Sequence, residues 1–124
     1  MEIEALNFDF TVCKVRDYRK VCLEDEFCFI GKTDRENSLV CRTESVPDNV
    51  LEREDGWRAF RMQGILDFSL VGILAEIAGL LAQQGISIFA VSTFDTDYVF
   101  TKRENFSKAL EVLSRAGYSE ISCK

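Results

Sequence analysis

Between residues 70 and 81 the apolar side chains Leu70, Ile73, Leu74, Ile77, Leu80 and Leu81 recur three and four positions apart, and this run limits the possible folds most sharply. Such spacing lays one apolar stripe along a helix, and the stripe must be buried against a sheet or another helix. Asp67 or Ser69 supplies an N-cap, and Gly85, after Gln83 and Gln84, supplies a left-handed stop. The flanks decide what the helix packs on. Ahead of it, residues 56–65 set Trp57, Ala59, Arg61 and Gln63 against Arg58, Phe60, Met62 and Gly64, which is a strand signal; behind it, residues 86–93 are rich in β-branched and aromatic side chains. Phe94, Asp95, Thr96 and Asp97 carry turn chemistry, and Tyr98, Val99, Phe100 and Thr101 return as a hairpin partner. A second amphipathic helix uses Phe106, Ala109, Leu110 and Leu113, opened by a Thr101 to Glu104 capping box and closed by Gly117. Residues 118–123 form a last short strand. The order is βαββαβ, an α+β, ferredoxin-like arrangement whose crossovers place both helices on one face of an antiparallel four-stranded sheet. The other face, or a sheet edge, then calls for a partner.

The residues before this pattern are less regular. Leu6, Phe8, Phe10 and Val12 alternate with Asn7, Asp9, Thr11 and Cys13 as a half-buried strand. Residues 27–30 and 39–41 read as two more strands, joined by a turn at 33–37. Helix is confined to 17–23 and the Thr33 turn, both short. Charge divides the chain in the same place: residues 1–55 hold 8 basic and 14 acidic side chains, whereas residues 56–124 hold 7 of each. All six excess negative charges precede Gly56. Residues 47–56 contain the only proline and no long periodicity, so they read as a linker or a long connection between a strand-rich module, 1–55, and the βαββαβ module, 56–124.

Composition removes several classes of function. With no histidine among 124 residues, the commonest metal ligand and general base is missing, and no Ser-His-Asp triad or Cys-His pair can be drawn. No catalytic residue, metal site or cofactor is expected. A net charge of −6 argues against nucleic acid and anionic membrane as partners, because both reward a basic patch. Cys13, Cys22, Cys28, Cys41 and Cys123 are odd in number and contain no CxxC pair, so neither a zinc ribbon nor a closed disulfide framework is indicated. Small core or surface residues are the plain reading, and a redox role is the alternative. The first residues lack a signal-peptide pattern, and the longest apolar stretch is too short to cross a bilayer, which places the chain in a reducing cytoplasm.

Two runs carry a resemblance. They are Gly64-Ile-Leu-Asp-Phe-Ser-Leu-Val-Gly-Ile-Leu-Ala75 and Leu81-Ala-Gln-Gln-Gly-Ile-Ser-Ile-Phe-Ala-Val-Ser-Thr93. In that order they resemble an ACT domain, the small regulatory module of aspartate kinases and other proteins of amino-acid metabolism. The stretch from Ser92 to Val99 resembles short stand-alone proteins with paired ACT-like halves, and the ACT pairs of the cytosolic arginine sensor of animal cells. The first half then reads as a degenerate, strand-rich ACT-like partner. The resemblance implies a binding module without chemistry, in which ACT units associate and a free amino acid sits against the loop between the first strand and first helix.

On this chain that loop is Asp67, Phe68, Ser69, Leu70, Val71, Gly72 and Ile73. A helix N-terminus presents unpaired N–H groups and partial positive charge, so amides near Leu70, Val71, Gly72 and Ile73 suit a carboxylate. Gly72 leaves room for close approach, and Asp67 suits an ammonium group, so a small zwitterion would be held at both ends. Ser69 adds a hydroxyl. Asp67 and Ser69 are equally ordinary N-caps, and Gly72 equally permits close packing of helix on sheet. Asp95 and Asp97 read as turn residues. The expected partners are a free amino acid, further copies of the chain and a possible protein partner. The alternative is a ligand-free interaction module that keeps the ACT interface only for oligomerisation.

Overall fold

The computed structural model describes residues 1–63 and 72–122. The elements are β1 (Glu2–Val15), β2 (Cys28–Lys32), β3 (Asn37–Arg42), a 3-10 turn (Thr43–Ser45), β4 (Val50–Met62), α1 (Ile73–Gln83), β5 (Ile88–Ser92), β6 (Asp97–Lys102), α2 (Arg103–Arg115) and β7 (Ser119–Ser122). They group into two compact units: Met1–Phe8 with Arg58–Lys124, and Asp9–Trp57. The 55/56 boundary read from charge falls inside β4, and the expected linker is largely strand. The reason is visible in β4's exposure: from Leu51 to Asp55 every side chain is exposed, so no inward-outward alternation marks the strand.

The unit holding both helices has strand order β7-β1-β4-β6-β5. The ferredoxin-like order β4-α1-β5-β6-α2-β7 is present as read. The four-stranded antiparallel sheet is not, because the start of β1 lies between β7 and β4 and pairs with β7 in parallel, Ile3 opposite Glu120 and Ala5 opposite Ser122. Burial accounts for the insertion: Ile3 has no exposed surface and joins a core of Phe60, Met62, Ile77, Leu81, Ile86, Val99, Ala109, Leu113 and Tyr118. Every fully buried aliphatic or aromatic chain of this kind contributes about 1.5–3 kcal/mol.

Both helices end as expected. Ile86 N–H donates to the Leu81 carbonyl at 3.0 Å and Gly85 N–H to Ala82 at 3.0 Å; Tyr118 and Gly117 repeat the pair with Leu113 and Ser114 at 2.9 and 3.1 Å. These are two Schellman closures, with Gly85 and Gly117 at φ 72° and 102°. The helix starts differ from expectation. The α2 N-cap is Lys102, whose flanking Thr101 hydroxyl donates to the Lys102 carbonyl at 3.2 Å, so the Thr101 to Glu104 capping box does not form. α1 begins at Ile73 with Gly72 as N-cap, three residues beyond the Leu70 expected to open its stripe.

The second unit has strand order β2-β3-β1-β4. Its strands at 27–30 and 39–41 are those read from sequence, whereas residues 17–23 hold turns, not helix. Cys13, Val15, Leu39 and Cys41 form its buried cluster, with Tyr18, Val21, Cys28, Val46 and Val50 packed around them. Phe10 and Phe27 meet edge-on at 5.9 Å. Asp25 is 3% exposed and pairs with Arg42 at 3.1 Å while accepting the Ser45 hydroxyl at 2.5 Å.

Its β2-β3 hairpin has a twin in the other unit. Cys28 opposes Cys41 and Lys32 opposes Asn37; sixty positions further on, Ile88 opposes Thr101 and Ser92 opposes Asp97, with every pair between shifted alike. The 3-10 turn follows Arg42 at φ −61°, ψ 142°, and α2 follows Lys102 at φ −61°, ψ 143°. The first half thus carries the second hairpin of the βαββαβ order, with one short turn where α2 would run.

Candidate functional site

Of the seven residues assigned to the ligand loop, Asp67, Phe68, Ser69, Leu70 and Val71 lie outside the described residues, and Gly72 and Ile73 lie within them. Gly72 is exposed at φ 89°, ψ 2°, a left-handed conformation that a side chain disfavours. Its carbonyl accepts the first α1 hydrogen bond, from Glu76 N–H at 2.8 Å. No side chain among the described residues caps this end. The Ile73 side chain packs on the apolar core.

A negative charge in the first turn would compete with a bound carboxylate. Glu76 is that charge, but its Oε1 accepts the Tyr118 hydroxyl at 2.6 Å, which ties the carboxylate to the segment after α2. Burial, with Glu76 beside it, pushes the Tyr118 phenol from 10.0 up to about 12. Nothing in the sequence pairs Glu76 with Tyr118, since they sit in unrelated periodic patterns.

The expected strand edge is present: β5 is last in its unit's strand order. Asp97 opens β6 and accepts the Ser92 hydroxyl at 2.5 Å, and the turn between them is closed by Thr93 N–H to the Thr96 carbonyl at 2.8 Å. Asp97 therefore serves the hairpin. Within the same unit Arg61 donates to Glu4 at 3.2 Å and to the Tyr98 hydroxyl at 3.2 Å, and both partners, although burial works against it, hold the guanidinium firmly protonated. One of the two arginines read on this strand is thereby internal, not solvated. A groove of about 490 Å³ lies between the C-terminal ends of α1 and α2, lined by Leu80, Gln84, Lys108, Val112 and Arg115, at the opposite end of α1 from Gly72. Among the described residues no helix is long and apolar enough to cross a membrane.

A βαββαβ unit whose first helix opens on an exposed glycine defines a ferredoxin-like α+β fold. The ACT domain model matches residues 52–115, more than half of the chain, and the chain belongs to the ACT domain family. Among curated relatives, the cytosolic arginine sensor for mTORC1 subunit 1 of Homo sapiens is 40% identical over 60 residues, 48% of this chain and 18% of the sensor. The Mus musculus sensor is 36% identical over 67 residues, 20% of its length. The chain thus matches only about a fifth of these relatives. Among solved structures, protein Atu0741 from Agobacterium tumefaciens is 28% identical with a TM-score of 0.88, over 99% of this chain and 93% of that one. Aspartate kinase from Clostridium acetobutylicum shares the fold at 14% identity and TM-score 0.67, over 92% of this chain and 33% of the kinase.

Proposed function

We propose that the chain is a non-catalytic regulatory module that binds a free amino acid, or a similar small zwitterion, and reports it through ACT-ACT assembly. Membership of the ACT domain family, with relatives named as an arginine sensor, supports the ligand class. The observation that carries the site is Gly72: an exposed left-handed glycine opens α1 with no side-chain cap among the described residues. The ligand carboxylate is received by the amides around Gly72 and Ile73, and its ammonium group by Asp67, with Phe68, Ser69, Leu70 and Val71 completing the loop. The chain works in the cytoplasm as a homo-oligomer, and the two modules, 1–55 and 56–124, act as the paired halves.

A thermal-shift screen of the free amino acids tests this. A ligand at a hundredfold excess over its dissociation constant stabilises by about 2.7 kcal/mol, and Asp67→Ala abolishes that gain. If no amino acid stabilises the chain while sedimentation shows one fixed oligomer, the interface serves oligomerisation alone.

A further inference from the structure

Three thiols lie on neighbouring strands of the second unit: Cys13 on β1, Cys41 on β3 and Cys28 on β2, all within one apolar cluster. Their registers differ in a way that decides which of them can be joined. Across β2 and β3, Cys28 and Cys41 are direct partners. The hairpin turn fixes the type of pair, because Thr33 N–H donates to the Glu36 carbonyl at 3.0 Å and hydrogen-bonded and non-hydrogen-bonded pairs alternate from there. Counting back from 33 with 36 through 31 with 38 and 29 with 40, the pair of 28 with 41 is non-hydrogen-bonded. In such a pair the Cα atoms are about 4.5 Å apart and the side chains lean together. That separation falls inside the range a disulfide spans, roughly 4.4–6.8 Å.

Across β1 and β3 the geometry is different. Cys13 opposes Leu39 and Cys41 opposes Thr11, so Cys13 and Cys41 are diagonal. Diagonal Cα atoms are about 7–8 Å apart, beyond disulfide reach without backbone movement. These two thiols act on each other instead: Cys41 draws the Cys13 thiol below its ordinary value, and Cys13, with burial, pushes the Cys41 thiol up. Among the described residues no three of the candidate ligand side chains form a metal-binding group, which leaves the thiols to covalent chemistry.

We infer that Cys28 and Cys41 form a reversible cross-strand disulfide, a modification site that closes the β2-β3 hairpin when a small-molecule disulfide is the oxidant. Cys28 is partly exposed and Cys41 buried, so Cys28 attacks first. Its thiolate, having lost a proton to water, bonds to one sulfur of oxidised glutathione and expels one glutathione thiolate. Cys41 then gives its proton to water, attacks the Cys28 sulfur as the thiolate, forms the cross-strand bond and expels the second glutathione as a thiolate, and the two glutathione thiolates take up the two protons. Two protein thiols are oxidised and one glutathione disulfide is reduced to two thiols. Burial pushes Cys28 up, with Asp25 and Cys22 adding to it, so the reaction is slow at neutral pH and accelerates as pH rises.

The test uses the full chain, reduced and then incubated with oxidised glutathione, followed by intact mass and peptide mapping. The expected product is lighter by two hydrogens, has lost two of its five thiols, links the Cys28 and Cys41 peptides, and reverts with dithiothreitol. Its formation speeds up about tenfold per pH unit while the attacking thiol is mostly protonated. Cys13→Ser still forms the bond, and Cys28→Ser forms only a glutathione adduct. The proposal is overturned by adducts without a two-hydrogen loss in the wild type, by a bridge mapping to any other pair, or by no reaction where the urea-unfolded chain reacts. Wild-type mapping decides the matter even if a variant fails to fold, and it is independent of amino-acid binding.

Discussion

The Tyr118 hydroxyl donates to Glu76 Oε1 at 2.6 Å, joining the first turn of α1 to the residue that closes α2. A hydrogen bond to a charged acceptor contributes about 1.5–3 kcal/mol, so Tyr118→Phe lowers stability by an amount in or just under that range. The phenol's folded pKa of about 12 lies above its ordinary 10.0. The neutral phenol is therefore favoured by folding; this contribution is complete below pH 10 and is lost as pH rises toward 12. Denaturant titrations at pH 8 and near pH 11 should converge for wild type and Tyr118→Phe at the higher pH.

Arg61 and Glu4, 22% and 11% exposed, form a pair whose charges have left most of their water behind. Removing one partner takes the opposite charge away from the other. Glu4→Met is expected to cost about 3 kcal/mol, while the double substitution Glu4→Met with Arg61→Met costs less than the sum of the singles. A double-mutant cycle by urea unfolding measures the difference, and additive losses would count against the pair.

Asp25 in the second unit behaves in the opposite sense to Tyr118. Burial raises its carboxyl, but the Ser45 hydroxyl and Arg42 outweigh burial and hold it below the ordinary 3.8. A depressed carboxyl adds stability above its unfolded value and loses it as pH falls through the folded one. Asp25→Asn should therefore destabilise the chain at pH 7, with the gap to wild type closing under acid.

Two glycines, one at the start of α1 and one in its interior, should respond with opposite signs. Gly72→Ala places a side chain at φ 89°, at a cost of about 1–2 kcal/mol, although a Cβ would meet no described atom within 4 Å. Gly79→Ala lies inside α1 with the same free space and gains about 0.5–1 kcal/mol from helix propensity. Thermal melts of the two variants report both signs at once.

What could be read in the sequence was local, although the Thr101 to Glu104 capping box, also local, does not form. The stripe through Ile77 and Leu81, the closures at Gly85 and Gly117, and the turn before Asp97 are each written within a few residues, and the structure has them. The parallel pairing of Ile3 with Glu120 is not written anywhere, because strand periodicity says which face is buried and nothing about the neighbour. The twin hairpins escaped for a related reason. Thr33 and Thr93 both donate backbone N–H to the carbonyl three residues on, at 3.0 and 2.8 Å, yet the strands beside them share a register and few residues. Only the second half of β4 is legible, because exposure from Leu51 to Asp55 erases alternation in the first. For the ligand loop, Gly72 is the N-cap of α1 where Asp67 or Ser69 was expected, Ile73 gives its side chain to the core, and the roles of Asp67 to Val71 rest on the resemblance.

The most direct test of amino-acid recognition at the α1 N-terminus is isothermal titration of the free amino acids, repeated with the N-acetyl and C-amide forms of the tightest. Carboxylate held by amides near Gly72 and ammonium held by Asp67 predict saturable binding that weakens at least tenfold, about 1.4 kcal/mol, when either end is blocked. Absence of heat for every amino acid, or binding indifferent to both blocks, would contradict it.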